Sequence, residues 1–250
     1  LLQPNQQFWH QFRLVEGAQI RYASQTMVER IVVGALHTNT YVVSTGRKEC
    51  ILIDPGDEAQ TIYRRLTALN MVPQAVLLTH GHLDHTAAAL GIREYYDHDI
   101  QIAIHKKDAD FLSPDSFERH KKMFESIGPE GLEIFERLYV ALPPPDFYLE
   151  EGSKILETDL TVIHTPGHTP GSVSLYSEQD EALFSGDTLL FKAVGPTEGK
   201  DSDHDALIES ITKKLFELPD ATRLYPGHGP YSTLEREKRN NIALREEGII

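Results

Sequence analysis

Four metal-capable side chains fall within six residues in the segment Thr79-His80-Gly81-His82-Leu83-Asp84-His85. The segment directly follows the apolar run AVLL at 75–78 and precedes TAAALGIREYY, which reads as a helix. This position matters. In mid-strand, alternation would divide the side chains between two faces, whereas a strand-to-helix loop lets them converge. Three further candidates lie downstream: His168 in TPGHTPGS, Asp187 in FSGDTL and His228 in YPGHGP. Each sits at the end of a strand-like run and beside glycine, which lets the backbone turn sharply and approach a site closely. Imidazole suits Zn²⁺ and Fe, and a carboxylate adds a hard ligand and negative charge. Five His and two Asp are enough to hold two metals.

Around these residues, short β-rich runs alternate with helical patterns. IVV (31–33), YVV (41–43), ILI (51–53), AVLL (75–78) and IQIAI (100–104) read as strands bounded by turn residues. Residues 57–70 read as a helix, with Ile62, Leu66 and Leu69 at helical spacing. The second half repeats the style. LTVIH (160–164), SVSLYS (172–177), EALFS (181–185) and RLYP (223–226) read as strands, and 204–217 and 233–246 as helices, with Asp203 as the N-cap of the first.

Two segments stand apart. Residues 1–26 form an N-terminal extension in which FRLV and IRYA suggest a hairpin. Residues 115–142 read as a helical insert broken at Gly128-Pro129, either a cap over the core or a lid, substrate wall or dimer contact. Fold class is therefore α/β, with residues 1–250 read as one domain.

Composition narrows the function. The net charge of −14 argues against a phosphate-backbone binder, because nucleic-acid footprints are basic. No apolar run approaches the ~18 residues of a membrane helix, and residues 1–20 hold no apolar signal core, so the chain reads as cytoplasmic. One cysteine, Cys50, excludes an intrachain disulfide and any multi-cysteine metal site. Of the other histidines, His164 reads as structural; His10, His98, His120 and His204 as surface or core; His37 and His105 carry no assigned role.

Taken together, His80-x-His82-x-Asp84-His85, His168, Asp187 and His228 resemble the metallo-β-lactamase superfamily. TPGHTPGS, SGDTL, YPGHGP, Ile53-Asp54-Pro55-Gly56 and Asn39-x-Tyr41 are most similar to its glyoxalase II-like (hydroxyacylglutathione hydrolase-like) branch. The resemblance covers roughly 28–240 and implies a four-layer αβ/βα sandwich with two divalent metal ions at one edge. It also implies that His80, His82 and His168 hold one metal, that Asp84, His85 and His228 hold the other, and that Asp187 bridges. Zn²⁺ is the favoured ion, while Fe or Mn would serve as well. Asp54 is expected to support the metal loop rather than to ligate.

The implied chemistry is hydrolysis of a small-molecule substrate by a hydroxide shared between two cations ~3.5–4 Å apart. A thioester suits it, because a thiolate with a pKa of ~8.5 leaves without strong acid assistance. Asp84 is the candidate to carry a proton while ligating.

The chain departs from the pattern in two places. Larger glyoxalase II enzymes carry a further helical domain after the last His motif, which residues 229–250 do not provide. Many smaller relatives show Gly-Arg-Thr-Asp after SGDTL. Here Gly195-Pro196-Thr197-Glu198 stands instead, leaving Lys192 as a candidate substrate anchor. The alternatives are a mononuclear iron persulfide dioxygenase, a lactonase or other ester hydrolase, and a non-catalytic metal-binding module. The last motif of the dioxygenase ends in Ala-His-Asp, so Pro226-Gly227-His228-Gly229 favours the hydrolase. Homo-oligomerisation stays open.

Overall fold

The computed structural model describes residues 26–46, 48–97, 99–155 and 158–250. The expected hairpin of the N-terminal extension, His10 and His98 lie outside the described residues.

Two sheets face each other. In the first, β1 (Val28–Val33), β2 (Thr38–Ser44) and β3 (Glu49–Ile53) pair antiparallel. Helix α1 (Ala59–Leu69) then crosses to β4 (Val72–Leu77), which pairs parallel with β3. Two short helices, α2 (Leu83–Thr86) and α3 (Ala89–Glu94), lead to β5 (Gln101–Ile104), parallel to β4. The insert follows as α4 (Phe117–Glu125) and α5 (Pro129–Leu138) and returns to the edge strand β6 (Phe147–Tyr148). The expected break at Gly128-Pro129 is where α5 begins, with Gly128 at φ +103° and Pro129 opening the helix.

The second sheet has the order β13-β12-β9-β8-β7. Its strands are β7 (Leu160–His164), β8 (Val173–Ser177), β9 (Ala182–Gly186), β12 (Arg223–Pro226) and β13 (Ser232–Thr233). A small hairpin, β10 (Leu189–Leu190) and β11 (Ala193–Val194), projects after β9. Helix α6 (His204–Lys213) is capped by the Asp203 side chain, which accepts from the Ala206 N–H as expected. The chain ends in α7 (Leu234–Asn240) and α8 (Ile242–Glu246).

Strand alternation produces four layers. Tyr41, Val43, Ile51, Ile53, Leu77 and Ala103 point inward to meet Val162, Leu175, Phe184 and Tyr225 of the facing sheet. Their neighbours Val42, Cys50, Leu52, Val76 and Ile102 point outward onto Ile62 and Leu66 of α1 and Ile92 of α3. On the far side Leu183 and Leu224 point outward onto Leu207, Ile211, Leu234 and Leu244. Central strands such as β3, β5 and β9, buried on both faces along most of their length, therefore read as continuous apolar runs. The αβ/βα sandwich with a helical insert is the architecture observed.

Two expected helices are interrupted, each for a local reason. The helix after His85 breaks between α2 and α3 because the Ala88 N–H bonds to the Pro55 carbonyl (3.0 Å) instead of continuing the helical ladder. The loop bearing Pro55 lies so close that a Cβ on Gly56 would stand 1.6 Å from the Asp84 carbonyl oxygen. The C-terminal helix breaks at Asn241, whose side chain caps α8 and donates to the Ala193 and Leu190 carbonyls and to Glu237. It thereby anchors the β10–β11 hairpin.

Candidate metal centre

The site lies where strand ends of the two sheets meet. His80, His82, Asp84 and His85 follow β4, His168 follows β7, Asp187 follows β9 and His228 follows β12. β2 ties the last of these in place. Asn39 Nδ2 donates to the carbonyls of Pro226 (2.8 Å) and Gly229 (2.9 Å), and the Tyr41 hydroxyl donates to Pro226 (2.7 Å). Gly227 makes the approach feasible, because a Cβ there would stand 2.2 Å from Asp187 Oδ1 and 2.7 Å from His85 Cε1.

The seven residues converge in two groups. One potential ligand atom from each of His80, His82 and His168 lies within 4.8 Å of the others, and the same holds for Asp84, His85 and His228. Asp187 stands between: Oδ1 is 3.7 Å from His85 Nε2, and Oδ2 is 3.8 Å from His168 Nε2 and 3.5 Å from His228 Nε2.

Backbone and side-chain oxygens set the imidazole tautomers. The Nδ1–H groups of His168 and His228 donate to the carbonyls of Pro196 (2.7 Å) and Leu36 (3.1 Å). His85 Nδ1 donates to Asp54 Oδ2 (3.0 Å). His80 Nδ1 donates to Thr79 Oγ1 (3.1 Å), which itself donates to Asp54 (2.6 Å). Each arrangement points Nε2 into the site, as outer partners of metal-bound histidines do.

Asp54, His80 and His85 also cluster. The Asp54 carboxylate is already engaged by the Thr79 N–H (2.7 Å), the Thr79 hydroxyl and His85, so it orients rather than offers a lone pair. It holds this place in a left-handed backbone, φ +51°.

The centre fits metal ions on its own evidence. His80 Nε2 and Asp187 Oδ1 are buried and accept or donate no hydrogen bond among the described residues. Leaving such atoms bare costs ~1–3 kcal/mol each. His168 Nε2 and His82 Nδ1 are 2.9 Å apart, and His85 Nε2 and His228 Nε2 are 3.2 Å apart. Two lone pairs at such distances repel unless a proton or a cation lies between them.

Electrostatics agree. Burial holds His80 and His82 well below the ordinary imidazole range, so both present neutral nitrogen. Burial would raise Asp84, but His85 and His228 outweigh it and keep the carboxylate ionised far into acid. Burial likewise opposes charge on His85, yet Asp187, Asp84 and Asp54 push its pKa up to about 10. His228 is raised by Asp187 and Asp84 against the effect of burial.

A cleft of about 620 Å³ opens over His82, Asp84 and His168. Of the roles open to the insert, α4 takes that of a cleft wall through Arg119, Lys122 and Met123. Lys192 lies elsewhere. It turns the β10–β11 hairpin with its N–H on Glu237 (2.8 Å) and its ammonium over Phe191, and it is not among the cleft-lining residues. His164 stacks on His105 (ring centroids 4.1 Å apart) and bonds the Pro170 carbonyl. His120 packs inside the insert on the Phe111 carbonyl, and His204 pairs with Glu247 at the surface.

Sequence reasoning missed Asp108. Fully buried, it accepts from the Gly81 N–H (2.9 Å), the Gly171 N–H (2.6 Å) and the Thr169 hydroxyl (2.6 Å). It thus ties the His80–His82 loop to the loop of His168. The only signal was an acidic residue soon after β5, indistinguishable by type from its surface neighbour Asp110.

A family model of the metallo-beta-lactamase superfamily matches residues 33–228. Hydroxyacylglutathione hydrolase GloC of Haemophilus influenzae is 33% identical over 223 residues, 88% of this chain and 99% of that one. Probable metallo-hydrolase YqgX of Bacillus subtilis is 32% identical, covering 86% and 96%. Among solved structures, the BLEG-1 B3 metallo-beta-lactamase superposes with a TM-score of 0.76 at 33% identity, covering 86% of this chain and 98% of that one. TTHA1623 in a di-iron-bound form superposes with a TM-score of 0.73 at 34% identity and the same coverage. The chain belongs to the metallo-β-lactamase superfamily.

Proposed function

We propose that the chain is a two-metal hydrolase that cleaves a thioester. The observation that carries the reading is the position of Asp187, within 4 Å of histidines from both ligand groups. His80, His82 and His168 would hold one divalent cation, Asp84, His85 and His228 the second, and Asp187 would contact both. Zn²⁺, Fe and Mn all suit such donors, and a structural relative is described with two irons. When bound, the cations would supply Lewis acidity and acidify a coordinated water to a pKa of ~7.

The protein's own groups supply the rest. Asp54, the Pro196 carbonyl and the Leu36 carbonyl hold His85, His168 and His228 in place, so little reorganisation remains at the moment of reaction. Asp84 Oδ2 accepts from the Thr38 hydroxyl (3.3 Å) and faces the cleft, where it can take a proton and pass it on. A thiolate leaving group needs no stronger acid. The name of the Haemophilus relative, a hydroxyacylglutathione hydrolase, supports the thioester reading.

The test is elemental analysis of native protein paired with thioester, lactone, β-lactam and persulfide substrates. Two metals per chain and thioester turnover are expected. One iron per chain with oxygen uptake on a persulfide would replace this reading with the dioxygenase. A metal-loaded protein inert toward all four would leave a binding module.

A further inference from the structure

We infer that the substrate is a thioester with a bulky apolar acyl group, seated against α4 of the insert; this rests on the thioesterase reading. Beside His82 the cleft is walled by Phe111, whose ring centroid is 5.7 Å from that of His82. The same wall continues through Leu36, Met123, Phe124 and Ile127.

Most of these side chains also serve the fold: Phe111 and Phe124 are buried, and Leu36 and Met123 pack on the Leu83–Phe135 cluster. Ile127 does not. It is 51% exposed in the turn after α4, where it lines the cleft, and it joins no apolar cluster among the described residues, although its Cβ lies over Gly131 of α5. An apolar wall beside the reacting centre gains little from a small hydroxylated acyl group, whose hydroxyl would lose its water there. An alkyl or aryl group would instead cover the wall and exclude water from it.

The polar half of the substrate has its own place. Lys122 and Lys200 line the cleft as exposed residues beside the equally exposed Glu118 and Glu198, and none of the four makes an ion pair among the described residues. Arg119, by contrast, is paired with Asp201 (3.4 Å) and lies over the Phe111 ring. A carboxylate-bearing thiol carrier would reach the two lysines while the acyl group lies along α4.

The experiment compares kcat/KM for S-hexanoylglutathione and S-lactoylglutathione with the metal-loaded protein. The hexanoyl thioester is expected to win by roughly tenfold or more. Ile127→Ser, at a half-exposed position, should cut that preference several-fold, whereas Ile242→Ser, equally exposed on α8 outside the cleft, should leave it unchanged. Calorimetric binding of the thioethers S-hexylglutathione and S-methylglutathione reads the wall without turnover, and the hexyl probe should bind tighter in the parent and lose that advantage in Ile127→Ser. Equal or reversed preference, or a preference untouched by Ile127→Ser, overturns the inference. If neither thioester is cleaved, the thioesterase reading fails, and the two thioethers still decide whether the wall selects an apolar group.

Discussion

His85 must give up a proton before it can accept a cation. Asp187, Asp84 and Asp54 push its pKa up to about 10, so at pH 8 the metal-free protein carries that proton. Metal binding needs the same lone pair and expels it. Calorimetric titration with Zn²⁺ at pH 8, in buffers of different ionisation enthalpy, should report release of about one proton per chain or more. Release near zero would mean that His85 does not ligate.

Without metal the linkage has the opposite sign. The folded pKa lies above the ordinary 6.5, so the stabilisation from charged His85 is complete below pH 6.5 and disappears as pH rises through 10. In the proposed reaction Asp84 is the group that carries the proton. Asp84→Asn keeps the shape but removes the carboxylate that faces the cleft. Turnover should fall ~10²–10⁴-fold, the usual range for a lost proton-transfer group, while the far-ultraviolet circular dichroism stays the same. Near-normal turnover would count against the dinuclear centre.

At the scale of elements, the loops matter more than the strands that carry them. Asp108 joins two of these loops through three hydrogen bonds to buried donors. In Asp108→Asn at least one N–H would face an amide N–H instead of an oxygen. Each buried donor left unpaired costs ~1–3 kcal/mol. Thermal unfolding should shift down by ~2–10 °C, and metal affinity should drop 10–100-fold, as for other partners that orient ligands from outside. A lower melting point with unchanged metal affinity would make Asp108 a fold residue only.

The strands were readable because Val42 and Tyr41, or Leu52 and Ile53, serve two apolar layers on opposite faces and so form continuous apolar runs. The seven candidate ligands were readable because their motifs are compact and rich in glycine. Asp108 was not, since its meaning comes from residues 27 and 63 positions away that only the fold brings together. The helix break at Ala87-Ala88 escaped for the same reason: its cause is the distant loop of Pro55 and Gly56. Two-residue strands such as β6 and β13 carry too few residues to show any periodicity.

At the scale of the whole molecule, each ligand group draws on both sheets. His80 and His82 come from the end of β4 and His168 from the second sheet, while Asp84 and His85 meet His228 from beyond β12. A cation in either group would therefore cross-link the two halves of the sandwich. Any ligand that binds only the folded state stabilises it by RT ln(1 + [L]/Kd), about 2.7 kcal/mol at a hundredfold excess over Kd. At ~2–4 °C per kcal/mol for a chain of this size, saturating metal should raise the melting temperature by roughly 5–10 °C over chelator-treated protein.

His168→Ala separates this effect from general salt binding. It removes the only member of the first group supplied by the second sheet, so roughly half of the metal-induced shift should be lost and one metal per chain should remain. An unchanged shift in that variant, with both metals retained, would show that His168 holds no cation and that the halves are joined without it. The acidic side of the same linkage is also testable. Protons compete with metal for His85 and His228, whose pKa values the neighbouring carboxylates raise, so the metal-dependent part of the melting temperature should shrink as pH falls below the His85 value of about 10.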